Sequence, residues 1–282
     1  MMEYTFDRLD CRLVRRVLTV TISNPPVNVM TRELFADLAA LTSTVAEDDA
    51  VQVVIFESAD PDFFIAHYDI SALVAVPTAD APTRSDTLGA FHSMCETVRT
   101  MGKATIARIA GRVGGGGSEF AASCDMRFGV YGETIINQME VPIGILPGGS
   151  GTQRLPRLLG RGRAMEVILG GDDLDARTAE AWGYLNRAFD SRSEMYAHVD
   201  RLAARIARFP AEAVALAKEA VNSAEKPLAE GLADEAYLFQ KSLRTEGAQR
   251  NMRRILDLGA QTRDGEKQIS DLSVRAAGDI ED

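Results

Sequence analysis

Cysteine is scarce in this chain: its 282 residues hold three, Cys11, Cys95 and Cys124, far apart and without a Cys-x-x-Cys pair. An odd, dispersed set suits neither a disulfide framework nor a zinc knuckle, and a reducing cytoplasm fits it best. Histidine is equally sparse. His67, His92 and His198 offer no pair spaced by four and no His-Glu-x-x-His motif, so no metal site is expected. No apolar run reaches the roughly 18 residues that span a bilayer, and Glu3, Asp7 and Asp10 stand where a secretory leader needs an apolar stretch. A soluble, cytoplasmic chain without a membrane segment is the expectation. Basic residues number 31 against 41 acidic ones, a formal net charge of −10. Such a chain repels polyanions at long range, which disfavours nucleic acid as a partner.

What is present is ordinary in bulk and specific in detail. With 46% hydrophobic and 26% charged residues, the chain can bury a sizeable core, as one large domain or a domain with an appendage. Residues 17–22 alternate and stop at Asn24-Pro25-Pro26. Thr31 can cap a helix through residue 47, whose Leu34, Leu38, Leu41 and Val45 recur at three- and four-residue spacing. Residues 51–57, 104–110, 125–131 and 134–138 read as strands. This alternation predicts an α/β architecture over 1–191, with functional groups on the loops at strand ends. Residues 77–87, rich in Pro, Ala, Asp and Thr, read as a mobile surface connection. From 192 to 260 strand signals vanish, and helices are expected at 192–208, 211–223, 227–245 and 247–257. An apolar face left over on such helices can be buried on another subunit or on the chain's own core. Over 261–282, six acids meet three bases and large apolar residues thin out, which predicts a frayed acidic tail.

Gly114-Gly115-Gly116-Gly117-Ser118-Glu119-Phe120 is the most unusual segment. Four glycines in a row cost ordering entropy, so the backbone there either turns tightly or lets another group come close. A helix starting at that point would aim free N–H groups and its positive dipole end at whatever lies in front, an oxyanion or a phosphate. It is no P-loop, for no Gly-Lys-Ser/Thr follows, and Phe120 stands where G-x-G-x-x-G needs its last glycine. Glu119, just inside the helix, and Glu140, ahead of a Gly/Pro-rich loop, are each compatible with a plain surface role; brought together they can hold a water and divide base and acid duties. Residues 63–70, FFIAHYDI, form a further loop after a strand. A serine hydrolase is disfavoured, because Ser150 lacks the last glycine of G-x-S-x-G and Ser118 lacks the flanking ones.

Four segments in order carry a resemblance: Phe64-Ile65-Ala66-His67-Tyr68-Asp69-Ile70, the Gly-Gly-Gly-x-Glu loop at 115–119, Cys124-Asp125, and E-x-x-x-G-x-x-P-G-x-x-G-T-Q-R from Glu140 to Arg154. The chain thereby resembles the enoyl-CoA hydratase/isomerase (crotonase) family over roughly residues 10–258. The resemblance implies a crotonase-like spiral of β-β-α turns, a helical C-terminal trimerisation region, and a homo-oligomer, trimer or hexamer. It implies a coenzyme A thioester as substrate and no separate cofactor. Carried onto this chain, the thioester oxygen falls to the N–H groups of Tyr68 and Gly116, the catalytic carboxylates to Glu119 and Glu140, and the substrate-binding loop to Ala66, His67, Asp69, Ile70 and Gly115. His67 departs from the glycine most members have, and Tyr68 from their small residue. A tyrosine keeps its own N–H while narrowing the pocket beside the substrate's α-carbon, so acyl-chain choice is where this chain should differ. Glycine at 114 replaces the usual aliphatic residue. The first reading is a 2-enoyl-CoA hydratase. An isomerase or another CoA-thioester enzyme is the second, and a non-catalytic scaffold of the same fold is the third, which the two glutamates count against.

Overall fold

A computed structural model describes residues 4–278 apart from 78, 80 and 82. The N-terminal hairpin pairs β1 (Leu9–Val14) with β2 (Val17–Ile22), and helix α1 (Arg32–Glu47) follows, its first turn capped by the Thr31 side chain accepting from the Leu34 N–H. Leu34, Leu38, Leu41 and Val45 all lie buried on one face of α1, as their spacing predicts.

The chain then winds through three turns that each lay one strand in each of two sheets. The first turn is β3 (Val53–Ser58) and β4 (Phe63–Ile65), followed by α2 (Ile70–Val74) and α3 (Ala90–Thr100). The second is β5 (Ala104–Ile109), β6 (Arg112–Gly114) and α4 (Gly115–Ser123). The third is β7 (Met126–Val130) and β8 (Ile135–Asn137), a 3-10 turn at Val141–Ile143, then α5 (Gly151–Leu159) and α6 (Arg161–Gly170). Strand β9 (Leu174–Asp175), helix α7 (Ala176–Trp182) and strand β10 (Arg187–Phe189) complete the sheets. The larger sheet runs β1-β2-β3-β5-β7-β10, parallel beyond the hairpin, and the smaller β4-β6-β8-β9. Residues 63–65, expected as loop, are thus a strand: Phe63 and Ile65 pair with Arg112 and Val113.

Every residue of α4 is buried, because the helix sits between the two sheets and the helices α3 and α5. On the far side of the larger sheet, α8 (Arg192–Ala207) buries Met195, Val199, Ala203 and Ala207 against Val53, Ile55 and Ile106. Helix α8, the first of the stretch expected as a helical C-terminal region, thus packs on the larger sheet of the same chain. Beyond it come α9 (Ala211–Asn222), α10 (Leu228–Ser242) and α11 (Glu246–Asp257), close to the helical stretches expected.

Part of the stretch expected as a frayed tail is helical. Residues 263–277 form α12 (Arg263–Glu266) and α13 (Ile269–Ala277), and α13 buries Leu272 and Ala276 while packing on α11. Arg205 donates to the Ser270 carbonyl and Arg208 to that of Gly278, fixing the segment to α8. Residues 279–282 of that tail, three positions of the 77–87 connection, and Glu3 lie outside the described residues.

Candidate active site

The first turn of α4 is made of glycines. Gly114 stands at its N-cap without a side chain to offer, and the N–H groups of residues 115–117 have no carbonyl one turn back within the helix. Gly115 adopts φ +46, where a side chain is strained. A Cβ there would also come within 3.0 Å of the Glu140 Oε1 and 3.2 Å of the His67 Cβ. At 114 a Cβ would stand 2.6 Å from the Ala66 carbonyl oxygen, so the glycine in place of an aliphatic residue accompanies a close approach of the 66–68 loop.

That loop is hung on Met30. The Met30 N–H donates to the His67 carbonyl at 2.8 Å and the Asp69 N–H to the Met30 carbonyl at 3.2 Å. A parallel bridge built this way uses the groups flanking Tyr68 and leaves the Tyr68 N–H on the opposite side. A Cβ on Gly116 would lie 3.5 Å from the Tyr68 nitrogen, so these two backbone positions are direct neighbours. His67 supports the loop from behind, its Nδ1 lying 2.8 Å from the Tyr68 carbonyl oxygen. The Tyr68 ring meets Phe91 of α3 edge to face, centroids 6.0 Å apart, and Phe91 in turn stacks on Phe35.

Tyr68, Gly116, Glu119 and Glu140 line one cavity of about 270 Å³, closed by Leu73, Phe91, Ile145, Leu146, Gly148 and Gly149. Glu119 is buried one turn into α4. Its Oε1 accepts from the Gly149 N–H at 2.8 Å and the Gly151 N–H at 2.7 Å, so the carboxylate sits at the N-terminus of α5, where the dipole favours negative charge. Ser150, between those two donors, is held at φ +109, a strained value for a residue with a side chain. Arg154 secures it, its Nε donating to the Ser150 Oγ at 2.9 Å. Burial pushes the Glu119 carboxyl up to about 7, aided by the Glu140 charge and opposed by the Gly151 and Gly149 donors.

Glu140 opens the 3-10 turn, and its Oε2 is buried with no hydrogen-bond partner among the described residues. Burial raises this carboxyl too, with the nearby His67 ring acting in the opposite sense. Both acids on this cavity thus resist ionisation, chiefly through burial.

The remaining expected residues lie around the cavity rather than on it. Ala66 is buried in the loop, Gly115 lies between His67 and Glu140, and Ile70 starts α2. Asp69 turns its carboxylate to the α2 N-terminus, accepting from the Ser71 N–H at 2.8 Å. Sequence reasoning missed Phe91, which carries no motif, and the Gly149 and Gly151 donors, although the Pro-Gly-Gly-Ser-Gly run containing them was visible. Among the described residues no three His, Cys, Asp or Glu side chains gather as a metal would require.

Two sheets wound in β-β-α turns around a buried, glycine-opened helix define the crotonase fold. A sequence model of the enoyl-CoA hydratase/isomerase family matches residues 14–258, and the chain belongs to that family. It is 34% identical over 240 residues to a Rhizobium meliloti (strain 1021) protein named "Probable enoyl-CoA hydratase", covering 84% of this chain and 90% of the relative. A Mycobacterium tuberculosis (strain CDC 1551 / Oshkosh) protein named "Probable enoyl-CoA hydratase echA8" is 30% identical over 90% of this chain and 96% of its own. Among solved structures, an enoyl-CoA hydratase subunit I from Geobacillus kaustophilus HTA426 superposes with a TM-score of 0.80 at 30% identity, over 89% of this chain and 96% of that one.

Proposed function

We propose that the protein is a 2-enoyl-CoA hydratase, adding water across the 2,3 double bond of a CoA thioester. One observation carries the reading: two buried carboxylates, Glu119 and Glu140, open onto the same cavity as the adjacent backbone positions Tyr68 and Gly116. Membership of the family and the names of the relatives support it.

Attack of water at the β-carbon pushes electrons through the double bond onto the thioester oxygen, giving an enolate. The Tyr68 and Gly116 N–H groups, with the α4 dipole behind them, stabilise that charge where it develops, and more strongly than they hold the neutral carbonyl. Water is a weak nucleophile. Glu119, its anion favoured by two N–H donors, takes one water proton as the C–O bond forms. Glu140, its carboxyl also raised by burial, delivers a proton to the α-carbon. The sum is one water added, and the proton left on Glu119 returns to Glu140 to reset the pair. No metal or redox cofactor takes part in this scheme; coenzyme A enters with the substrate. We place the enzyme in the cytoplasm as a homotrimer or hexamer.

Loss of the enoyl-thioester absorbance with short, long and aromatic enoyl-CoAs tests the reading. Hydration of at least one of them is expected. Migration of a double bond without hydration would make the protein an isomerase, and binding without either reaction a scaffold.

A further inference from the structure

A second cavity lies at the opposite end of α4. About 410 Å³ in volume, it is enclosed by the C-terminal end of α4, the start of β7, and helices α5 and α9. In a chain with a net charge of −10, its wall is cationic: Arg99, Arg127, Arg154, Arg157 and Lys218 line it against Asp125 and Glu225.

Pairing does not cancel that excess. Lys218 is satisfied by Asp125 at 2.9 Å and by the Val98 and Lys103 carbonyls. Arg157 faces Glu225 at 3.7 Å, both about half exposed, a weak pair. Arg99 and Arg154 share one carboxylate, Glu96, and the Arg99 Nη1 is buried without a partner among the described residues. Arg127 has no carboxylate bound to it. It is 4% exposed, and its Nε and Nη1 donate to the carbonyls of Tyr184, Cys124 and Ala121, which leaves the Nη2 edge without a hydrogen bond among the described residues. Burial pulls its pKa below the ordinary guanidinium range. Such a group is costly unless an anion or a hydrogen-bonding partner completes it.

We propose that this cavity is a binding site for a phosphate group, with Arg127 at its floor and Arg157 and Arg154 at its rim. A phosphate oxyanion suits guanidinium forks, which donate in pairs to two of its oxygens. The cavity is far larger than one phosphate, so the group can arrive as the free ion or on a nucleotide. The site is separate from the cavity that holds Glu119 and Glu140, and it does not depend on the hydratase reading.

Thermal melts of the full chain, at fixed ionic strength in chloride, test this with two probes, inorganic phosphate and 3′-phosphoadenosine 5′-phosphate. A ligand bound only by the folded state raises Tm with its concentration. The expected result is a rise of a few degrees that saturates with at least one probe, and isothermal titration calorimetry should return one site per chain. Saturation by inorganic phosphate marks a site for the free ion, and saturation by the nucleotide alone, lost on the rim substitutions, marks one for a nucleotide phosphate. Arg157→Gln, at the exposed rim, should keep the fold and weaken binding about tenfold or more. Arg127→Met should abolish it, and if that variant does not fold, Arg154→Gln with Arg157→Gln takes its place. Equal effects of phosphate and chloride, or saturable binding that survives both rim substitutions, would overturn the proposal. So would a cavity closed to both probes by a second copy of the chain.

Discussion

In the larger sheet Leu18, Val20, Ile22, Val53 and Ile106 are fully buried. In α10, Leu228, Leu232 and Phe239, spaced to share one face, stand 78, 53 and 58% exposed. The sheet core is complete within one chain; the later helices carry apolar surface that their own chain does not cover. A contiguous apolar face of that kind is the usual mark of an interaction site. The groups proposed for chemistry all come from the self-sufficient region, on α4, on the loop after β4, and at the turn after β8. The proposed division is that the spiral performs the reaction and the C-terminal helices assemble the chain.

The largest test of this division removes the acids. Glu119→Gln and Glu140→Gln should each lower hydration turnover by about a hundred- to ten-thousandfold while CoA-ester binding, measured by calorimetry, persists. Turnover lost in Glu140→Gln but intact in Glu119→Gln would point to a one-base isomerase. Gly116→Pro comes next. Deleting one oxyanion donor costs roughly 2.7–4 kcal/mol in the transition state, so folded variant protein, verified by circular dichroism and a melt, should lose at least about a hundredfold in kcat. Full turnover would reduce the glycine run to a tight turn.

The same contrast explains what could be read from the sequence. Helix α1 was legible because its cap and its periodic leucines are local. Strands β2, β3 and β5 were legible because each is a run of apolar residues long enough to show a period. Strand β1 was not picked out, although Leu9, Cys11 and Leu13 alternate with the exposed Asp10 and Arg12; its hairpin turns through Arg15 and Arg16 at φ +46 and +65 without the glycine or asparagine that marks such turns. Strands β4, β6, β9 and β10, two or three residues each, are too short to carry periodicity. Helix α13 depends on α11, Arg205 and Arg208, contacts that no local pattern records. At the candidate site, Glu119, Glu140, Gly116 and Tyr68 were picked out by ordered motifs and meet on one cavity. Phe91 was invisible, because its place beside Tyr68 arises only from the packing of α3.

Assembly tests the other side of the comparison. The intact chain should sediment as a trimer or hexamer, and Leu232→Asp with Phe239→Asp should yield smaller species with an unchanged far-ultraviolet spectrum. An intact chain that sediments as a stable monomer would leave the apolar face of α10 without its proposed role.

Placing the proposed acids in the buried region also has a stability cost, and its sign is fixed. Glu119 ionises near 7 when folded and near ~4.3 when unfolded, so between these values the folded state binds the proton more tightly. Stability is fully present below the unfolded value and falls as pH rises through 7, by at most about 4 kcal/mol. Glu119→Gln escapes that loss. Its Tm relative to the parent should therefore be higher at pH 8.5 than at pH 5, and a difference that stays constant with pH would contradict the raised carboxyl.

The smallest expected effect concerns substrate choice at the aromatic wall of the cavity. Tyr68 and Phe91 meet edge to face on the cavity, and only the Tyr68 N–H, not its ring, serves the thioester oxygen in the proposed scheme. Tyr68→Ala keeps that N–H and removes the ring, so kcat on the smallest accepted enoyl-CoA should change little while kcat/KM shifts toward bulkier acyl groups. Pocket volume differences of a methylene or more shift preference by roughly 1–3 kcal/mol, which sets the expected change in the ratio at about tenfold or above. An unchanged ratio, with the variant still folded, would mean that the acyl group leaves the cavity by another wall, with Ile145 and Leu146 on the loop after Glu140 the next positions to alter.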